Sequence, residues 1–210
     1  MKISLSGTGG RTFEVSVAEV VEHDPTLIPA IIDLDLLTFS EPTWSRYTAG
    51  LLLRHGRTFL LQADGAIIGT CQLLRSWSTP QEAVLFSMSI RPGWRGRGLG
   101  TFFLEEVIHT LLQGDIHSLV LEVDPENEAA IKLYEQKFGF VRQKVCDQEY
   151  GPGQDRLHMR KTLERDESTY ERSTPSATAV SSVQSESDQA PHCRTDSESD
   201  HISPSDVANA

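Results

Sequence analysis

Arg95-Gly96-Arg97-Gly98-Leu99-Gly100 lies between an apolar run ending at Ile90-Arg91-Pro92 and another beginning at Thr101-Phe102-Phe103. Three glycines and two arginines at a strand-to-helix junction suit an anionic ligand. Glycine lets the backbone approach the ligand closely and turn its N–H groups inward. The first N–H groups of the following helix have no partner within it and sit at its positive end. Diphosphate is a natural occupant of such a place.

Two familiar phosphate loops can be excluded. A nucleoside-triphosphate loop requires G-x-x-x-x-G-K-[ST]; Gly93 and Gly98 have the spacing, but Leu99 stands where the lysine belongs. A dinucleotide fingerprint requires G-x-G-x-x-G; Gly96 and Gly98 begin it, but Thr101 occupies the third glycine position. What remains is R-x-x-G-x-G, from Arg95 through Gly98 to Gly100. A plain glycine-rich turn would also read this way. The two arginines in an acidic protein and the long amphipathic helix that follows favour a binding loop.

Met88-Ser89-Ile90-Arg91-Pro92-Gly93-Trp94 followed by that loop resembles the acetyl-CoA loop of the GNAT N-acetyltransferase superfamily. A second signature follows in Leu121-Glu122-Val123-Asp124-Pro125-Glu126-Asn127 and continues through Tyr134 to Phe138-Gly139-Phe140. Both segments occur in the family's order and separation, and the resemblance covers residues 13–163. It is strongest to the RimI-like N-terminal acetyltransferases, which acetylate ribosomal-protein alanine. Asp33 to Phe39 with Pro42-Thr43-Trp44-Ser45 is similar to their first-helix segment, with Thr43 inserted. Glu149-Tyr150 through Asp155-Arg156-Leu157-His158-Met159 is similar to their last hairpin, with Glu149 and Arg156 departing from the usual residues.

The resemblance implies a site, residue by residue. Backbone N–H groups at Met88, Ser89 and Ile90 would hold the pantetheine arm of acetyl-CoA. The loop Arg95, Gly96, Arg97, Gly98, Leu99, Gly100 and Thr101 would cradle the diphosphate, with one of the two arginines an ordinary surface residue. Asn127 opens a helix, where it would serve as a cap, and the resemblance adds a contact to the cofactor arm. Tyr134 lies seven residues on, roughly 10 Å along the same helix face. Such a residue would otherwise be core; the resemblance makes it the general acid for the departing thiolate, its phenol protonated at neutral pH with a reference pKa of about 10. Glu122 would be the general base, directly or through water, or else a strand-end residue facing water. Phe39, Trp44 and Tyr150 would line the acceptor side.

The rest of the chain bounds these expectations. From 164 to 210 there are ten acidic residues, three basic ones and eleven serines, a net of −7 that leaves −4 of the chain's −11 for the remainder. A segment so poor in aromatic and branched apolar residues is expected to be a disordered tail. A mildly acidic domain argues against nonspecific nucleic-acid binding. No apolar run is long enough to span a bilayer. The three cysteines, Cys71, Cys146 and Cys193, are odd in number and lack metal-ligand spacing, and the seven histidines are scattered. No metal is expected, and a reducing cytoplasm is the simplest setting.

Patterning completes the reading. Residues 1–12 read as a flexible leader, 13–163 as the acetyltransferase domain and 164–210 as the tail. Strands are expected at Phe13–Val17, Thr58–Leu61, Ile67–Leu74, Ala83–Ile90, Leu119–Val123, Phe140–Cys146 and Leu157–Leu163. Helices are expected over Pro25–Phe39, from Pro42 to Arg54, after Leu99 and over Asn127–Lys137. Asp64-Gly65 marks a hairpin turn. Val84, Phe86, Met88 and Ile90 are placed on one strand face, and Leu99, Phe103, Val107 and Leu111 form a helical stripe. The fold class is α/β, a mixed, mostly antiparallel sheet of six to seven strands with four helices. The resemblance adds a cofactor entering the splay between two central strands.

The expected activity is direct acetyl transfer from acetyl-CoA to a primary amine, first a protein or peptide N-terminal α-amine. The alternatives are a small-molecule amine acceptor and a non-catalytic acyl-CoA-binding module. The expected state is a monomer or homodimer, with no nucleic-acid or membrane partner.

Overall fold

The computed structural model describes residues 2–6, 11–38 and 44–164. Phe39, Thr43 and all of the expected 164–210 tail except Glu164 lie outside them. Among the described residues, eight strands form one sheet: β1 (Lys2–Ser6), β2 (Thr12–Val20), β3 (Arg57–Ala63), β4 (Ala66–Arg75), β5 (Glu82–Ile90), β6 (Ser118–Val123), β7 (Val141–Cys146) and β8 (Arg156–Thr162). Their spatial order is β1-β2-β3-β4-β5-β6-β8-β7. Neighbours are antiparallel except β5 and β6, which run parallel. The helices are α1 (Ile28–Leu36), α2 (Arg46–His55), α3 (Leu99–Leu112) and α4 (Glu128–Lys132).

The strand count exceeds the expectation because of β1. Residues 2–6 were expected in a loose leader, yet Ile3 and Leu5 alternate with polar neighbours and the segment pairs along β2, Ile3 opposite Val15. The hairpin between β3 and β4 turns at Asp64 and Gly65, whose φ of 47° and 81° give the left-handed pair that such a turn requires.

Each sheet face has its own cluster. On one, Phe103, Leu104, Val107 and Leu111 of α3 are wholly buried against Leu119 and Leu121 of β6, Leu157 and Met159 of β8 and Cys71 and Leu73 of β4. Ile131 of α4 joins them. On the other, Ile31, Trp44, Ala49, Leu52 and Leu53 pack together beside Leu74 of β4. Each fully buried large apolar side chain contributes roughly 1.5–3 kcal/mol, so the two clusters fix the helices against the sheet. No helix of the described residues is long and apolar enough to cross a membrane.

One strand departs from simple alternation, and it is the strand that shapes the site. On β4 and β5, Leu73 pairs with Leu85 but Gln72 pairs with Ser87, leaving Phe86 without a partner. This bulge shifts the face by one residue. Ala83 and Leu85 face the α3 cluster before it, and Met88 and Ile90 pack against that cluster after it. The expected common face of Val84, Phe86, Met88 and Ile90 is therefore corrected. Val84 lies on the opposite face, and Phe86 is the inserted residue, 44% exposed.

Candidate active site

A bulge bends its strand and sharpens the local twist. Here it bends β5 away from β6. Their parallel pairing runs from Glu82 opposite Ser118 to Leu85 opposite Leu121 and stops there. Ser87 to Ile90 continue along β4, while Glu122 and Val123 continue along β8. A wedge thus opens between the two central strands, starting one residue before Glu122.

Strand alternation decides which backbone groups face the wedge. The Arg91 N–H donates to the Ile68 carbonyl at 2.8 Å, towards β4. Successive N–H groups alternate sides, so those of Ile90 and Met88 point to the open side and that of Ser89 points to β4. The buried Ser89 hydroxyl is engaged by Thr70, oxygen to oxygen 3.1 Å. Met88 and Ile90 therefore offer donors to the wedge.

The glycine loop sits at the wide end of the wedge. Gly96 and Gly98 have φ of 73° and 74°, and Gly98 caps α3 in a left-handed conformation with no side chain to satisfy the helix start. The first helical bond runs from the Phe102 N–H to the Gly98 carbonyl at 3.1 Å. The N–H groups of Leu99, Gly100 and Thr101 precede it and have no intrahelical acceptor. They form the anion-ready end of α3. Both arginines brace the loop. Arg95 donates to the Ile90 carbonyl at 2.7 Å and to the Thr38 hydroxyl at 3.1 Å. Arg97 donates to the Gly93 carbonyl and lies over the Trp94 ring, 5.5 Å from its centroid.

Two side chains with proton chemistry flank the narrow end. Glu122 projects on the face opposite α3 and accepts a hydrogen bond from the Tyr150 hydroxyl. That bond, with burial second, pushes the Tyr150 phenol up to about 12. Across the strand pair Glu122 stands opposite His158, whose Nδ1 is 3.8 Å from Glu122 Oε1. A cleft of about 470 Å³ opens here, lined by Val84, Glu122, Lys144 and His158 among others.

Tyr134 approaches from the α3 side. Asn127 starts α4, its side chain accepting from the Ala130 N–H at 3.1 Å, so its carboxamide oxygen serves as the cap. After Lys132 the helix widens into a π-helical turn, Leu133–Lys137, that carries Tyr134. Such turns are rare and concentrate at functional sites. The Tyr134 ring packs 5.5 Å from that of Phe140. Burial, with the Cys71 thiol second, pushes its phenol up to about 12. Burial likewise pushes the Cys71 thiol up, which keeps it from acting as a thiolate.

Other expected residues fall differently. Trp44, expected to contact the acceptor, is 7% exposed and belongs to the α2-side cluster, where its ring stacks obliquely on Phe86 at 5.5 Å. It reaches the site through the bulge residue. Tyr150 is exposed and borders Glu122 directly. Phe39 is outside the described residues. Phe86 and His158 are not among the expected site residues; the bulge and the β6–β8 register bring them in.

The profile of the acetyltransferase (GNAT) family matches residues 28–140. Human N-alpha-acetyltransferase 30 is 28% identical over 165 residues, covering 75% of this chain and 45% of that protein. The chain thus spans less than half the length of that relative. The ribosomal protein bS18-alanine N-acetyltransferase of Salmonella typhimurium is 44% identical over 54 residues, 26% of this chain and 36% of that protein. The crystal structure of the Escherichia coli ribosomal-protein-alanine N-acetyltransferase superposes with a TM-score of 0.62 at 25% identity, covering 72% of this chain and 95% of that one.

Proposed function

The chain belongs to the acetyltransferase (GNAT) family, and from that premise we propose that it moves an acetyl group directly from acetyl-CoA to the α-amine of a protein or peptide N-terminus. GNAT acetyltransferases use acetyl-CoA. The observation that carries the reading is the bulge-opened wedge with a carboxylate on one sheet face and a phenol on the other. The relatives acting on N-terminal amines support the acceptor class.

The chain's own groups divide the work. The N–H groups of Leu99, Gly100 and Thr101 bind the diphosphate, and those of Met88 and Ile90 hold the pantetheine arm and polarise the thioester oxygen. Arg95 holds the loop to the end of β5. Glu122 takes a proton from the incoming ammonium, directly or through water, so that a neutral amine attacks. Tyr134 supplies its hydroxyl proton to the departing sulfur. Tyr150 positions the carboxylate and borders the acceptor. The reaction needs no covalent enzyme intermediate, in keeping with the suppressed thiolate of Cys71.

The loop makes a specific forecast. Gly98 holds a φ that side chains resist, so Gly98→Val forces the loop out of its cradle shape. The Kd for acetyl-CoA should rise at least about tenfold by calorimetric titration. At Gly100 an added Cβ meets only ordinary contacts, 3.8 Å from Leu133 and 3.9 Å from Ile90, so Gly100→Ala should keep the fold. Unchanged acetyl-CoA affinity in Gly98→Val would reduce the loop to a simple turn.

The acceptor class is tested by a screen with labelled acetyl-CoA, comparing peptides bearing free N-termini with amino acids, polyamines and aminoglycosides. Label should enter the peptides and be lost when their N-termini are blocked. Transfer to small amines alone would overturn the N-terminal reading and leave the acetyltransferase reading standing.

A further inference from the structure

The cysteines and histidines have no ligand spacing along the chain, yet the last hairpin gathers three metal-ligating side chains. On β7 and β8, Cys146 stands opposite Arg156 and Lys144 opposite His158, which makes Cys146 and His158 diagonal neighbours on one face. Glu149 comes from the connecting turn, which Gln148 closes by donating its N–H to Asp155 at 2.8 Å. One ligand atom from each of Cys146, Glu149 and His158 lies within 4.8 Å of the others.

We propose that these three residues form a site for a zinc-class divalent cation at the rim of the acceptor cleft, with the fourth coordination position open. A thiolate, an imidazole and a carboxylate suit Zn²⁺ in charge and softness. Tetrahedral bonds of about 2.0–2.3 Å place ligand atoms roughly 3.3–3.8 Å apart. The contraction needed is at most about 1.5 Å, and the exposed Glu149 side chain can move to supply its share.

His158 provides the second, independent observation. Its Nε2 is buried and has no hydrogen-bond partner, while its Nδ1 faces the Glu122 carboxylate at 3.8 Å. A metal-binding histidine characteristically gives its other nitrogen to a carboxylate, which fixes the ring and the tautomer. Glu122 stands close enough to His158 to take that part on a small side-chain shift, and the Nε2 atom has no other partner among the described residues. Binding replaces the Cys146 thiol proton with the metal and releases it to solvent. The two anionic ligands neutralise the ion, and its presence ties Cys146 and Glu149 to His158, which faces Glu122.

The test reads metal binding, not acetyl transfer, so it stands or falls apart from the proposed reaction. Full-length reduced protein is stripped with chelator and titrated with Co²⁺. A near-ultraviolet thiolate-to-cobalt band should appear at one ion per chain, and Zn²⁺ should abolish it. Cys146→Ser should remove the band, and His158→Gln should weaken Co²⁺ binding at least about tenfold. Cys193→Ser, in the tail, should leave both unchanged. Absence of the band in the wild type, its survival in Cys146→Ser or its loss in Cys193→Ser would overturn the site.

Discussion

Tyr134→Phe should lower kcat by about 10²-fold while acetyl-CoA affinity and Tm stay near wild type. The substitution keeps the ring that packs on Phe140 and removes only the hydroxyl. Its magnitude follows from the environment of that hydroxyl. With the phenol pushed up to about 12, it remains protonated across the physiological range and always offers a donor. A free thiol titrates near 8.5, so complete proton transfer from such a phenol to a thiolate is uphill by several pKa units. The benefit lies in donating a strong hydrogen bond as charge grows on sulfur, with the proton passing late. That places the effect at the lower end of the range for acid–base catalysis, about 10²-fold. Unaltered turnover in Tyr134→Phe would return the residue to the core. A loss confined to acetyl-CoA affinity would make it a binding residue.

What the sequence discloses and what it conceals divide along a physical line. The glycine loop, the Asp64-Gly65 turn and the Leu99–Leu111 stripe are local patterns, and each is written in contiguous residues. So is the Asn127–Tyr134 helix, although its π-helical turn carries no composition signal. The wedge is different. Alternation assumes that every residue of β5 has a partner, and nothing in Val84-Leu85-Phe86-Ser87 marks Phe86 as unpaired. The inserted residue shifts the strand's faces by one and opens the gap in the same step. The first strand was legible in Ile3 and Leu5 but hidden by the glycines that follow. Trp44 read as an acceptor contact by position, whereas the α2-side cluster buries it. The Cys146–Glu149–His158 group depends on the β7–β8 register, which no spacing along the chain expresses.

Glu122→Gln should lower kcat by about 10²-fold or more at neutral pH, and the deficit should shrink as pH rises. Glutamine retains the shape of the side chain and an oxygen to accept from the Tyr150 hydroxyl, so the cleft keeps its geometry. What it loses is the capacity to take a proton from the acceptor. An N-terminal α-amine has a pKa of about 7.7–8.0. Below it the amine arrives as ammonium and needs the carboxylate; above it the amine arrives neutral and the carboxylate has less to do. The wild-type-to-variant ratio should therefore be largest near about pH 6.5 and smallest near about pH 9.5. The Tyr134 phenol, held at about 12, stays protonated throughout and does not contribute to the trend. Measuring kcat for both proteins across that interval, with chelator present and acetyl-CoA saturating, separates the two roles for Glu122. A ratio that is equally large at both ends would mean that Glu122 positions the acceptor and removes no proton.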